Sequence, residues 1–334
     1  MSNLETAPLE LQCDGHARAP AATGRPAVQV LSPREVPLGG PRAMTVRRTL
    51  PQRGRSLIGG WCFADHYGPD NVAVTGGMNV APHPHTGLQT VSWLFTGEIE
   101  HRDSLGVHAM VRPGELNLMT GGHGICHSEV STPDTTILHG VQLWVALPDA
   151  SRHAPRDFQH YTPTLAHLDG ARLRVFVGAL AGQTSPVRTF SPLLGADITL
   201  DARAQFTLDV DPSFEHGLLV DIGTIGVAGT EVPRAALAYL GAERTRMTLT
   251  NLTDAPARGL LLGGQPLGEE IVMWWNFVAR SHDEIVAYRQ AWQDESDQFG
   301  RVDGYRGSLR RLPAPPLPTT RLMPRRNPGN PHRT

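Results

Sequence analysis

From Leu88 onward the chain alternates short apolar and β-branched runs with clusters of Gly, Pro, Asn and Asp. The runs cover Leu88 to Phe95, Leu116 to Met119, Thr136 to Leu147, Leu173 to Val177, Ala204 to Val210, Gly217 to Val227, Ala235 to Leu240 and Met247 to Leu252. Short strands closed by residues that tolerate turns predict an all-β sandwich or barrel. Long helical periodicity is almost absent. One helix is predicted: Ser281 and Glu284 form a capping box, after which Ile285, Tyr288, Trp292 and Phe299 fall on one side. That stripe is expected to pack on the second of two β domains.

Two domains are the default for 334 residues, since single cores stop growing at roughly 250–300 residues. The break at Leu147-Pro148-Asp149 through Pro155 is read as the connection. The predicted organisation is a flexible leader over 1–26, a first β domain over 27–153, a second over 154–280, a helix over 281–300 and a disordered Pro/Arg-rich tail over 301–334.

Composition narrows the class. With 40% hydrophobic and 19% charged residues the chain is neither a disordered nor a membrane protein by type. A net charge of −2 gives no field of one sign to attract nucleic acid, and no apolar stretch reaches the roughly 18 residues of a spanning helix. The basic cluster Arg42, Arg47, Arg48, Arg53 and Arg55 lacks interleaved aromatics and reads as a solvated face. Three cysteines at scattered spacing, Cys13, Cys62 and Cys126, argue against a disulfide framework. The leader carries Glu5, Glu10 and Asp14 where a secretion signal carries basic residues. The expectation is a cytoplasmic monomer.

Chemistry concentrates in Pro82-His83-Pro84-His85 and Ile125-Cys126-His127-Ser128-Glu129. Each holds two ligand-type residues two positions apart, and side chains at that spacing share one face of a strand. Facing each other across a barrel interior, the strands would bring together three imidazoles and one carboxylate. That donor set suits one divalent ion with open positions, Fe(II) before Zn, Mn, Cu or Ni. Cys126, of opposite parity, is read as a core thiol. His101 and Asp103 also share a strand face, but their stretch Glu98 to Asp103 reads as a solvated strand or turn. Met78, Trp93, Leu118 and Trp144 are read as core by default, one or two of them as candidates to line the cavity. In the second domain His216 stands alone, so that domain is expected to be metal-free and structural.

The flanking sequence supplies a resemblance. Gly77, Gly97 and the Arg112-Pro113-Gly114-Glu115 turn resemble the two motifs of the cupin superfamily. The ordered pieces APHPHTGLQTVSWLFTGEIEHRDSLG, VRPGELNLMTGGHGICHSE and LHGVQLWVALP resemble the pirin family, and Gly264 to Leu267 and Asn276 to Val278 resemble its C-terminal pattern. The resemblance implies two cupin domains (a bicupin) and metal ligation by His83, His85, His127 and Glu129. It also implies quercetin 2,3-dioxygenase activity on a flavonol or similar enolic substrate with O2. There Glu129 would take the substrate hydroxyl proton. The alternative it implies is a metal- or redox-dependent regulator of a transcription factor or metabolic enzyme. Two departures stand out: Gln89 occupies a position where many relatives carry Glu, and His123 occupies the loop before the second pair, where it is read as capping that loop.

Overall fold

The computed structural model describes residues 28–38, 44–325 and 327; the expected leader, Cys13, Arg42 and most of the last residues of the tail lie outside these. The described chain forms two cupin domains, each a sandwich of one seven-stranded and one four-stranded antiparallel sheet. In the first domain the large sheet runs in the order Asp157–Tyr161, Leu116–Thr120, Leu88–Thr96, Ile137–Ala146, Trp61–Asn71, Met44–Leu50, Arg34–Leu38. Its small sheet runs Asn79–His85, Ile125–Ser131, Ile99–Asp103, His108–Val111. The second domain repeats this plan, with Glu215–Ile222, Ala257–Gly264 and Leu193–Leu200 at the centre of its large sheet.

Strand alternation sorts the side chains. Along Leu88–Thr96, Thr90, Ser92 and Leu94 point into the first sandwich, while Val91 and Trp93 point out of it. Those outer residues do not meet water. With Trp61, Leu116, Leu118, Val141 and Leu143 they pack against Phe176, Leu193, Leu219, Leu260 and Leu262 of the second domain. The two large sheets are therefore cemented face to face, at about 1.5–3 kcal/mol for each large apolar side chain fully removed from water.

The ends of the chain cross between domains, which local pattern could not announce. Gln29–Leu31 pairs with Leu237–Leu240, so the first described strand belongs to the second domain's sheet. Beyond Gly264 the chain returns to the first domain. Phe277 bridges Thr86, and the helix His282–Gln293, capped by Ser281 Oγ accepting from Glu284 N at 3.2 Å, follows. Its Ile285 and Trp292, with Phe299, pack among Val80, Ile99, Val111 and Phe277. The expected helix is present, but it covers the first domain rather than the second.

The tail is a second correction. Over residues 301–325 it lies along the first domain. Leu312 and Ala314 are buried beside Trp292, and Leu312 N donates to Pro82 O (2.8 Å) while its own carbonyl accepts from Trp292 Nε1 (2.8 Å). Proline prevented regular structure without preventing burial. The basic cluster is corrected as well. Arg48 is buried inside the first sandwich with both oxygens of Asp65 (2.7 and 2.8 Å), and Arg55 is buried over the Tyr239 ring (3.6 Å), so neither lies on a solvated face.

Candidate metal centre

The small sheet of the first domain builds the site. Antiparallel pairing sets His127 opposite His83 and Ile125 opposite His85, then slips by one residue so that Glu129 faces Val80. His83, His85, His127 and Glu129 are all essentially buried. After His85 the chain turns sharply at Gly87, whose φ of +67° and approach to Val278, 2.2 Å from an added Cβ to the carbonyl oxygen, leave no room for a side chain. That contact brings the returning C-terminal segment against the site.

The ligand-type atoms of His83, His85 and His127 lie within 4.8 Å of one another. Their outer nitrogens are oriented from behind. His83 Nδ1 faces Ala81 O at 2.9 Å and His85 Nδ1 faces Asn276 O at 3.1 Å. A carbonyl can only accept, so both rings carry hydrogen on Nδ1 and present a bare Nε2 to the centre. His85 Nε2 stands 3.1 Å from His127 Nε2, and His83 Nε2 is buried without a partner. Burial is the main cause holding all three imidazoles well below their ordinary pKa, so they stay neutral. The inward-facing, bare Nε2 atoms of His83 and His85 beside His127 fit a cation, and the donor set is that of a divalent-metal site.

Glu129 joins a second group, with His101 and His127, whose ligand-type atoms also lie within 4.8 Å of one another. Ser92 Oγ stands 3.2 Å from Glu129 Oε1 and 3.0 Å from Gln142 Oε1. Behind the centre, the Trp144 ring meets His85 edge-on at 5.2 Å and stacks on Phe63 at 4.0 Å, so Trp144 is a wall of the site as well as core.

The stretch expected to be a solvated strand or turn is a strand, but one with a buried face. Ile99, His101 and Asp103 are buried while Glu100 and Arg102 between them are half-exposed, so the strand Ile99–Asp103 alternates and aims His101 and Asp103 inward. Gln89 has the opposite parity to Ser92; its Nε2 donates to Thr120 Oγ1 at 3.0 Å, away from the ligands. His123 is exposed and holds its loop through Ala154 O (3.3 Å from Nδ1). Cys126 is buried, its thiol pushed up to about 11 by burial.

A third cluster, His66, His139 and Asp221, lies where the domains meet. Asp221 Oδ1 accepts from His66 Nε2 (2.7 Å) and His139 Nε2 (2.6 Å), and Oδ2 accepts from Arg258 Nε (2.6 Å). Here carboxylate and donors satisfy one another, so the cluster needs no ion and acts as a clasp between domains. His216 is buried in the second sandwich, both ring nitrogens without a hydrogen-bond partner. No metal-ligand group lies inside that sandwich among the described residues. No helix of the described residues is long and apolar enough to cross a membrane.

Comparison with known proteins agrees with this architecture. The Pirin family model matches residues 43–145 and the Pirin C-terminal cupin domain model residues 195–299. A Pseudomonas aeruginosa protein named as a candidate quercetin 2,3-dioxygenase is 46% identical over 293 residues, covering 87% of this chain and 91% of its own. A Pirin-like protein of Caulobacter vibrioides is 33% identical over 259 residues, covering 74% and 88%. The crystal structure of a quercetin 2,3-dioxygenase from Acinetobacter baumannii superposes with a TM-score of 0.82 at 37% identity, covering 88% of this chain and 96% of that one. Family models over residues 43–145 and 195–299, with relatives matched along most of the chain, make it a member of the pirin family.

Proposed function

We propose that this pirin is a mononuclear metal oxygenase of the quercetin 2,3-dioxygenase type, with His83, His85, His127 and Glu129 as ligands and iron as the ion. The observation that carries the reading is the set of three imidazoles, kept neutral by burial, whose ligand-type atoms converge in a buried interior, those of His83 and His85 with a bare Nε2. Relatives bearing the dioxygenase name support the substrate class, a flavonol or similar enolic molecule with O2 as co-substrate. When bound, a divalent ion would supply Lewis acidity toward a deprotonated hydroxyl.

The chain's own groups supply the rest. Glu129, the carboxylate of the set, takes the hydroxyl proton as the substrate docks, with Ser92 within hydrogen-bond distance of its Oε1. Trp144, edge-on to His85 and backed by Phe63, offers a flat apolar wall for an aromatic guest. Burial of the whole set keeps competing water out. The free, buried thiols of Cys62 and Cys126 fit a reducing compartment such as the cytoplasm.

Oxygen uptake by the iron-loaded protein with quercetin, followed over many equivalents, tests this reading. Sustained consumption abolished by a chelator supports it. No uptake, or a single turnover, would overturn it in favour of a regulatory protein whose metal shapes a surface for a partner.

A further inference from the structure

The three central imidazoles are not held alike. Backbone carbonyls, which no side-chain substitution removes, orient His83 (Ala81 O, 2.9 Å) and His85 (Asn276 O, 3.1 Å). His127 Nδ1 instead faces another side chain, His101 Nδ1, at 3.4 Å. On its far side His101 Nε2 lies 3.1 Å from Asp103 Oδ2. Asp103 is itself fixed, because its Oδ1 accepts from Leu105 N (2.8 Å) and Val107 N (3.1 Å) in the turn that follows. The Phe158 ring covers His101 at 5.0 Å, and both His101 and Asp103 are buried.

For neutral rings, with a cation rather than a proton between the Nε2 atoms of His85 and His127 (3.1 Å apart), these contacts leave one consistent placement of protons. The Asp103 carboxylate accepts, so His101 carries its hydrogen on Nε2 and offers a lone pair at Nδ1. His127 must then donate from Nδ1, which bares its Nε2 toward His83 and His85. The line Asp103, His101, His127 thus imposes on the third imidazole the tautomer that carbonyls impose on the other two. Register makes the line possible: the strands pair with Asp103 opposite His127 and His101 opposite Glu129, a diagonal within reach of a ring.

We propose that His101 and Asp103 are positioning residues of the metal centre, selecting the tautomer and ring angle of His127 without ligating the ion themselves. The inference rests on the reading of His127 as a ligand. Outer partners of metal-bound histidines commonly govern affinity by about 10- to 100-fold.

Co(II) titration of the metal-free full-length protein, read from the visible bands of the bound ion, separates the possibilities. Three variants are compared with the wild type, each first checked for an unchanged thermal transition in the metal-free form. His101→Phe keeps the ring shape and removes the acceptor. His101→Asn restores an acceptor oxygen near the place of Nδ1. Asp103→Asn keeps acceptance from Leu105 and Val107 but turns a donor toward His101, inverting its tautomer so that two N–H groups face each other. The expected result is Co(II) binding weakened about 10- to 100-fold in His101→Phe and Asp103→Asn, with His101→Asn within about threefold of wild type and its bands unchanged. Wild-type affinity in both His101→Phe and Asp103→Asn would overturn the proposal while leaving the metal centre standing. Equal loss in His101→Phe and His101→Asn with altered bands would also overturn it, by making His101 a ligand. Failure of the wild type to bind Co(II) would instead remove the metal reading on which the proposal stands.

Discussion

Replacing His216 by Leu isolates the cost of a buried imidazole in the second domain. The ring sits beside Leu194, Gly263 and Phe214, its nitrogens have no hydrogen-bond partner, and burial pushes its pKa down to about 4, with Arg244 adding to the drop and Asp211 opposing it. In the unfolded chain the group titrates near 6.5. Between these values the unfolded chain binds a proton that the folded protein refuses, so stability falls as pH falls. At about 1.4 kcal/mol per pH unit, the interval is worth about 3 kcal/mol when fully traversed. Above pH 6.5 the contribution is level, and Leu, with no polar atoms to bury, is expected to match or exceed the native residue. Urea unfolding of metal-free wild type and His216→Leu at intervals from pH 7.5 to pH 4 reads the effect as a difference. Groups common to both, such as Asp221 and His66, cancel. The wild type should lose about 3 kcal/mol relative to the variant across the window. Parallel curves from pH 7 to pH 4 would mean that His216 binds its proton equally well in the folded and unfolded chain.

Other perturbations follow from the same geometry. Asp221→Ala strips the acceptor from two imidazoles and Arg258 at the domain boundary, and chemical unfolding should show a loss of about 3–5 kcal/mol. Arg48→Ala leaves Asp65 buried and unpaired, with a penalty of the same order in thermal unfolding. Gly87→Ala strains the left-handed backbone, at about 1–2 kcal/mol, and also pushes Val278 away; a lowered Tm together with weakened metal retention is expected. His127→Ala should abolish both metal retention and flavonol cleavage, and full oxygen uptake by a metal-free variant would contradict the mechanism.

How far the chain announced its structure depends on which contacts are local. The strand runs and the two candidate ligand pairs were legible because alternation is a property of a few consecutive residues: His83 and His85 share a face wherever that strand lies, and so do His127 and Glu129. The same rule finds His101 and Asp103 on one face of Ile99–Asp103, but not which way that face turns. The charges of Glu100 and Arg102 obscured it, although they occupy the outward parity and so mark the strand as alternating. Arg48 misled for the complementary reason: its partner Asp65 comes from the neighbouring strand, and nothing near Arg48 in sequence shows that a carboxylate will meet it inside the sandwich. The exchange of chain ends is less legible still. Pairing of Gln29–Leu31 with Leu237–Leu240 and burial of Leu312 against Trp292 depend on how two finished domains present their edges. Proline in the tail signalled only the lack of regular hydrogen bonding.

The proposed function requires that three buried imidazoles and Glu129 hold one divalent ion in the first domain. Elemental analysis of protein purified without oxygen, run beside His83→Ala and His127→Ala, tests it most directly. About one ion per chain is expected in the wild type, iron foremost, and next to none in either variant. Metal content that is negligible in the wild type, or equal in all three, would contradict it.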